Sequence, residues 1–279
     1  MRIAKFPMLV AALALGAVGC ATNDGGPTTT TIPPIAFVRY INAVPDTLNT
    51  TVRWVDYLEF TPQTFINVPY RGVGQGLYQG LKAGSRHFTI FTADAVNFSV
   101  AGNTAVMADV TANFEANKYY TILLTGYARA GSAPAKTVKI IEDVITTQST
   151  NVSLRAMNPG LGQGALDFHI VATTTTPITT PTFSAVAEGT YSAYTNFAPA
   201  AFAIRTAAAG SATVLASTAA PSGTVGTTSA DPIGGATVGG SIITAIAFPA
   251  SVTGSAAAAS ASPSVIYVVD KQPPRTTSP

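Results

Sequence analysis

After residue 34, the chain consists mainly of short runs of β-branched and aromatic residues, separated by clusters of Gly, Pro, Asn or Asp. Such runs are typical of strands, and their repeated interruption by turn residues favours an all-β sandwich over a helical fold. The clearest predicted strands are 37–43, 51–56, 87–92, 119–125 and 138–142.

The spacing of apolar residues within these runs also indicates strands. Val52 and Trp54 alternate with Arg53, as expected for a strand with one buried and one solvated face. No stretch beyond residue 34 has a convincing helical period. The nearest is 106–116, where Val106, Val110 and Phe114 would share a helix face.

The chain repeats itself in sequence order. Residues 38–42 (VRYIN) resemble 154–158 (LRAMN), and the same displacement places 52–55 over 168–171. Because order and spacing are kept, we predict two tandem Ig-like β-sandwich domains, the second a degenerate repeat of the first. The remaining matches are 88–90 with 202–204, 120–123 with 242–245, and 138–143 with 265–270; the predicted domains are 35–146 and 151–270, followed by a disordered tail, 271–279.

The first 34 residues have a different character. Arg2 and Lys5 precede an apolar stretch that is shorter than the ~20 residues needed to cross a bilayer, so residues 1–19 are predicted to be a secretory signal peptide. Residues 17–20 (AVGC) resemble the lipobox of bacterial lipoproteins. That resemblance implies that the Cys20 thiol is alkylated with a diacylglyceryl group, and that the new N-terminus is acylated, typically with palmitate. Residues 20–34 then form a disordered tether.

The lipidation of Cys20 has consequences for location and stability. Cys20 is the single cysteine of the chain, so a lipidated protein has no thiol left for a disulfide. Two acyl chains already suffice for stable anchoring, so the expected location is the cell envelope with the membrane as a partner. In Gram-negative bacteria, an Asp directly after the lipidated cysteine resembles an inner-membrane retention signal. This chain has Ala21 at that position, which favours the outer membrane in a Gram-negative organism. Whether the protein faces the periplasm or the cell surface is left open.

The charge balance excludes one class of partner. The chain has 15 Lys and Arg and 13 Asp and Glu, so removal of Arg2 and Lys5 leaves a formal net charge of zero. Only 10% of the residues are charged. Nucleic acids bind through clustered positive charge, and we therefore predict that the protein does not bind nucleic acid.

The first predicted domain resembles a known family. Residues 38–46 (VRYINAVPD) are similar to the opening motif of the domain-of-unknown-function 4397 family, and 51–56, 81–88 and 116–126 resemble the strands that follow it. The resemblance covers 35–143 well and 152–270 in part. It implies an exported or lipid-anchored bacterial protein with β-sandwich domains and no established activity, so it supplies no catalytic residue.

Motifs for phosphate, metal or cofactor binding are weak. The glycine-rich segments 72–76 and 160–164 lack the strand before and helix after that a dinucleotide loop requires, and we interpret them as turns. His87 and His169 are the two histidines, too few for an ordinary zinc site. We therefore predict no metal and no cofactor.

Catalytic residues are equally hard to assign. No serine lies in a Gly-x-Ser-x-Gly elbow. The adjacent acids Glu142 and Asp143 point to opposite faces of a strand and are expected to be solvated strand ends. A hydrolase would have to use acids from the loops of the first domain, and the candidates there are Asp46, Asp56, Glu59 and Asp94.

Aromatic residues are concentrated in the first predicted domain and could stack on sugar rings. Trp54 alternates with polar residues in a strand and is predicted to lie in the core. Tyr57, Tyr70 and Tyr78 lie in polar or glycine-rich segments, so they are candidate ligand-binding residues as well as candidate core residues.

These observations predict a lipid-anchored envelope protein with a non-enzymatic role in structure, binding or display. Its partners would be the membrane, through Cys20, and envelope proteins or glycans. A glycan-binding module and an envelope hydrolase with a site in the loops of the first domain are the alternatives.

Overall fold

The structure is a computed structural model that describes residues 33–56, 63–74, 77–93, 103–252 and 261–275. Every regular element in these residues is a β-strand, which confirms the all-β prediction. The described residues from Pro34 onward belong to one compact unit. The predicted signal peptide, Cys20, most of the predicted tether and residues 276–279 of the predicted tail lie outside the described residues.

Eight strands form the first sandwich, which consists of two four-stranded sheets. One sheet has the order β4-β1-β7-β8 and the other the order β3-β2-β5-β6. The strands are β1 (Ile35–Ala43), β2 (Thr50–Trp54), β3 (Gln63–Val68), β4 (Gln79–Lys82), β5 (Gly84–Ala93), β6 (Asn103–Phe114), β7 (Tyr119–Thr125) and β8 (Thr137–Asp143).

Nine strands form the second sandwich. One sheet has the order β12-β9-β16-β17, with β13 also paired to β9, and the other has the order β11-β10-β14-β15. The strands are β9 (Val152–Asn158), β10 (Leu166–Val171), β11 (Phe183–Val186), β12 (Thr190–Tyr191), β13 (Thr195–Phe197), β14 (Ala203–Ala208), β15 (Val214–Ala219), β16 (Ile242–Phe248) and β17 (Ser264–Lys271).

The two sandwiches share one strand topology. The strands β1, β2, β7 and β8 have the same neighbours as β9, β10, β16 and β17, and both β1–β7 and β9–β16 are parallel pairs. The five clearest predicted strands all overlap strands of the first sandwich. The stretch considered for a helix, 106–116, falls largely in β6.

Strand pairing corrects two of the sequence matches between the copies. Arg39 pairs with Thr121 in the first copy and Arg155 pairs with Thr244 in the second, so the match of 120–123 with 242–245 is displaced by one residue. The match of 88–90 with 202–204 is likewise displaced, by two residues. Local similarity was too weak at these points to fix the alignment, whereas backbone pairing fixes it.

Each sandwich has its own core, because alternate strand residues point between its two sheets. Trp54 lies in the first core, as predicted, with its ring edge-on to Phe88 and Phe114 at 5.1 and 5.9 Å. Phe168 lies in the second core, together with Leu154 and Ile243.

A third apolar cluster lies between the two sandwiches. It combines Ile41 and Leu123 from the first with Met157, Ile246 and Phe248 from the second. These residues point away from their own cores, so the outer face of each β1- or β9-containing sheet is covered by the other sheet. The domain boundaries 35–146 and 151–270 stay a prediction, but the topology repeats on either side of 144–151.

Candidate functional site

Four buried charged residues meet where the two sandwiches face each other. Arg39 on β1 donates from Nη1 to Oδ1 of Asp270 on β17 over 2.5 Å. Arg155 on β9 donates from Nη2 to Oδ1 of Asp143 on β8 over 2.9 Å. Each ion pair therefore joins one sandwich to the other. We call these four residues the ion network.

A threonine in each sandwich connects the arginine and the aspartate of its own half. Thr121 accepts a hydrogen bond from Nε of Arg39 at 2.7 Å and donates one to Oδ2 of Asp143 at 2.5 Å. Thr244 makes the equivalent bonds in the second half, at 2.8 and 2.5 Å. The polar groups are thus related by the same approximate symmetry as the strands.

Tyrosines complete the network in both halves. Tyr78 donates to Oδ2 of Asp143 at 2.8 Å, and Tyr194 donates to Oδ2 of Asp270 at 2.7 Å. In each half the guanidinium carbon of the arginine lies 4.8 Å from the centre of that half's tyrosine ring. Both carboxylates therefore accept hydrogen bonds from an arginine, a threonine and a tyrosine.

Tyr191 breaks the symmetry. Its hydroxyl donates to Thr121 at 2.9 Å and accepts a hydrogen bond from Nη2 of Arg39 at 3.1 Å. Its ring centre lies 3.8 Å from the guanidinium carbon of Arg155. This one side chain, which belongs to the second sandwich, contacts the arginines of both halves.

The electrostatics of the network oppose proton transfer. Burial alone would lower the pKa of Arg39, but Tyr191, Asp270 and the other nearby groups raise it well above its usual value. Burial raises the pKa of Tyr78, Tyr191 and Tyr194. At neutral pH the arginines stay charged and the tyrosines stay neutral donors, so these groups cannot act as bases. The arrangement suits a fixed ionic contact.

An open groove of about 610 Å³ borders the ion network on one side. The groove is lined by residues 189–194 and by Ile141, Glu142, Val144, Thr146 and Arg155. The Arg155 side chain is 4% exposed, whereas those of Arg39, Asp143 and Asp270 are fully buried. A ligand in this groove would meet one guanidinium whose charge Asp143 already compensates.

The structure places the candidate ligand-binding tyrosines in different surroundings. Tyr70 is 6% exposed, packs edge-on against Phe248 and donates to the carbonyl of Pro249 at 2.8 Å. Tyr78 is partly buried against the ion network. Tyr57 lies outside the described residues. Tyr70 and Tyr78 thus both contribute to the contact between the sandwiches and offer little ring surface to a sugar.

Two of the four candidate acids, Asp46 and Asp56, lie in the described residues, and they have separate partners. Asp46 accepts hydrogen bonds from the backbone N–H groups of Ala128 and Arg129 at 2.7 and 2.9 Å, and Asp56 pairs with Arg86 at 2.8 Å. Glu59 and Asp94 lie outside the described residues. The described residues contain no group of three or more His, Cys, Asp or Glu side chains that could hold a metal ion.

The structure also describes the surroundings of both histidines and of the glycine-rich segment 160–164. His87 contacts Asp109 at 2.7 Å, with both side chains partly exposed, while His169 is buried on β10. Gly160, Gly162 and Gly164 have positive φ and form the turn between β9 and β10. Within the described ranges we found no helix long and apolar enough to cross a membrane.

The expectation that Glu142 and Asp143 are both solvated strand ends is wrong for Asp143. Glu142 is exposed and pairs with Lys118, but Asp143 is 3% exposed because the second sandwich covers its face of β8. One signal was present in the sequence. Arg39 corresponds to Arg155 and Asp143 to Asp270 in the repeat, and opposite charges kept in both copies indicate a shared contact.

Comparison with protein families yields a match over residues 36–169 to the family described as Domain of unknown function (DUF4397). The matched segment contains the first sandwich, β9 and most of β10. The degenerate second copy stays a prediction from the sequence repeat and the strand topology. Comparison with curated proteins gives no match. From the opening strand to the first strands of the second sandwich, the chain is thus similar to the DUF4397 family, which confirms the resemblance predicted from residues 35–143.

Proposed function

We propose that this chain is a lipid-anchored protein of the cell envelope whose two sandwiches act as one body in a non-enzymatic role of binding or display. The observation that carries the proposal is the ion network. It is the largest cluster of buried charges among the described residues, and its carboxylates and guanidinium groups bond to one another across the two sandwiches. The charged groups of the network therefore hold the two sandwiches together.

Catalysis would require reactive groups that converge in a cleft with suitable pKa values. Asp46 and Asp56, the described candidates, are each tied to separate partners. The large groove borders arginine and tyrosine groups that do not exchange protons near neutral pH. These features favour a role that depends on shape and surface rather than on a reaction.

The anchor is part of the proposal. Residues 17–20 resemble a lipobox, and a diacylglyceryl group with a third acyl chain gives effectively stable membrane attachment. The tether 20–34 contains many Thr, Pro and Gly residues and no long apolar run, so it would hold the sandwiches away from the membrane surface.

The decisive experiment labels cells that express the full chain with radioactive palmitate. Wild-type protein and a Thr22→Ser control should carry the label and stay in the membrane fraction after a carbonate wash. Cys20→Ser should carry no label and should leave that fraction. If the Cys20→Ser protein stays in the membrane fraction as fully as the control, lipid anchoring at Cys20 is wrong.

A further inference from the structure

His169 is a buried polar residue without a described partner. It lies on β10, opposite Arg205 of β14, and is 3% exposed. Neither of its ring nitrogens makes a hydrogen bond in the structure. An unsatisfied buried polar group costs about 1–3 kcal/mol, so an imidazole with two such atoms, neither of them bonded to a described residue, favours an added partner.

A loop buries this imidazole. Residues 172–182, which we call the threonine loop, lie over the outer face of the sheet that contains β10. Ser217 donates to the carbonyl of Thr174 at 2.8 Å, Arg205 donates to the carbonyl of Thr176, and Thr182 accepts a hydrogen bond from the N–H of Ile170 at 3.2 Å. The loop is therefore fixed at several points along its length.

A pocket of about 290 Å³ lies between the threonine loop and the turn that joins β14 to β15. His169 lines this pocket together with Asp167, Thr179 and Ser211, and Ile178 contributes an apolar wall. The unpartnered ring thus borders a space that a small ligand can enter. The volume is just below the range of about 300–1,000 Å³ that is typical of pockets for drug-sized ligands, so a single ring is the right size.

The polar groups of the pocket offer both donors and acceptors. Both carboxylate oxygens of Asp167 are held in place by backbone N–H groups, of Ala185 at 2.7 Å and of Gly210 at 2.8 Å, and each keeps a further lone pair. The Ser211 hydroxyl accepts a hydrogen bond from the N–H of Thr213 and can donate its own proton. The imidazole of His169 adds two ring nitrogens that can take part in hydrogen bonds.

The charges favour a neutral ligand. Asp167 lines the pocket and repels anions, while Arg205 lies on the neighbouring strand and repels cations. Hydroxyl groups can donate and accept at once, so a ligand with several of them would satisfy these residues without adding charge.

We propose that this pocket binds a neutral, hydroxyl-rich ligand of the size of one sugar ring. The proposal deepens the binding role proposed above and rests on it only for its biological setting. It places recognition in the second sandwich, away from the tyrosines of the first. The first sandwich has Arg53 at the position that corresponds to His169, with its guanidinium 5.8 Å from the Phe91 ring, so the site belongs to the second copy.

The test uses the full chain in detergent micelles, labelled with ¹³C-histidine. The chain contains two histidines, so two ring signals are expected, and His87 serves as an internal reference on the other sandwich. The protein is titrated with the methyl glycosides of glucose, galactose, mannose and N-acetylglucosamine. Saturable movement of the His169 signal by at least one of them, with the His87 signal unchanged, is the expected result.

Two matched variants connect the response to the pocket. Thr179→Val removes a hydroxyl that lines the pocket and should weaken binding about three- to tenfold, the usual effect of one lost hydrogen bond. Thr180→Val makes the same change next to it, outside the pocket lining, and should bind as the wild type does.

Three results would overturn the proposal. They are the absence of saturable movement of the His169 signal with all four glycosides, movement with Zn²⁺ alone, or equal effects of the two threonine variants. None of these readouts depends on the membrane anchor, so failure here is distinguishable from failure of the palmitate experiment.

Discussion

Replacing Asp270 by Asn tests whether the ion network holds the two sandwiches together. The substitution keeps the shape of the side chain but removes the charge that compensates the buried Arg39, 2.5 Å away. It also places an amide where the hydroxyl groups of Thr244 and Tyr194 donate to Oδ2. Loss of one partner from a buried ion pair costs about 3–5 kcal/mol, and we expect the free energy of unfolding to fall by that amount.

The assay can detect the effect across the interface. Asp270 belongs to the second sandwich, whereas Trp54, the single tryptophan of the chain, lies in the core of the first. Urea unfolding at pH 7 is followed by tryptophan fluorescence and by far-ultraviolet circular dichroism. Because the network links the halves, the midpoint reported by Trp54 should shift to lower urea along with the circular dichroism signal.

A matched control separates burial from charge. Asp56→Asn removes the partner of Arg86 in an ion pair that is also short, 2.8 Å, but has side chains that are 16% and 22% exposed. Partly exposed pairs of this kind contribute about 0–1 kcal/mol, so this variant should unfold nearly as the wild type does.

A double-mutant cycle isolates the pair itself. Arg39→Met combined with Asp270→Asn removes both charges, and its cost should be smaller than the sum of the two single substitutions. The reasoning is refuted if Asp270→Asn costs no more than Asp56→Asn, if the double substitution is additive, or if the Trp54 transition does not move.

Two further predictions concern local structure. Gly126→Ala should lower the thermal midpoint more than Gly131→Ala. Both residues have positive φ, which alone costs an alanine roughly 1–2 kcal/mol, but a Cβ at Gly126 would also lie 2.4 Å from the carbonyl oxygen of Ala135, whereas Gly131 has open space. Equal midpoints would contradict the steric argument. His87→Leu removes the ring N–H and should raise the pKa of Asp109, which the hydrogen bond from His87 holds below its usual value. Carboxyl ¹³C shifts between pH 2 and 7 measure that pKa. An Asp109 pKa that does not rise would show that this bond is not the cause.

The fold class could be predicted from the sequence because its signals are local. Alternation around Trp54 identifies a strand with a buried face, and turn residues mark the ends of the runs. The similarity of 38–42 to 154–158 indicated the repeat because each segment occupies the same place in its sandwich. Where the two copies differ in sequence, as in 120–123 and 242–245, the correct alignment could be determined only from the strand pairing.

The ion network could not be predicted in the same way. Asp143 follows an apolar strand and precedes a polar segment, a context that usually indicates a solvated end. Its burial depends on the second sandwich covering that face of β8, and this contact is not encoded in the local pattern. His169 posed the same difficulty, since the threonine loop that covers it carries no apolar run that would indicate a buried partner.

The placement of the charges explains how two similar sandwiches meet in one arrangement only. The apolar residues of the third cluster, such as Ile41 and Met157, are compatible with many sliding positions, because apolar contact is not directional. The ion pairs are directional. Sliding one sheet by a single repeat of two residues, about 7 Å, would separate partners that now lie 2.5–2.9 Å apart and remove the shorter of the two ion pairs that each buried charge makes. Inside each sandwich the arginine and the aspartate lie farther apart, at 3.8 and 3.7 Å. The short ion pairs are the ones that cross between the sandwiches, so the two halves are held together as one body.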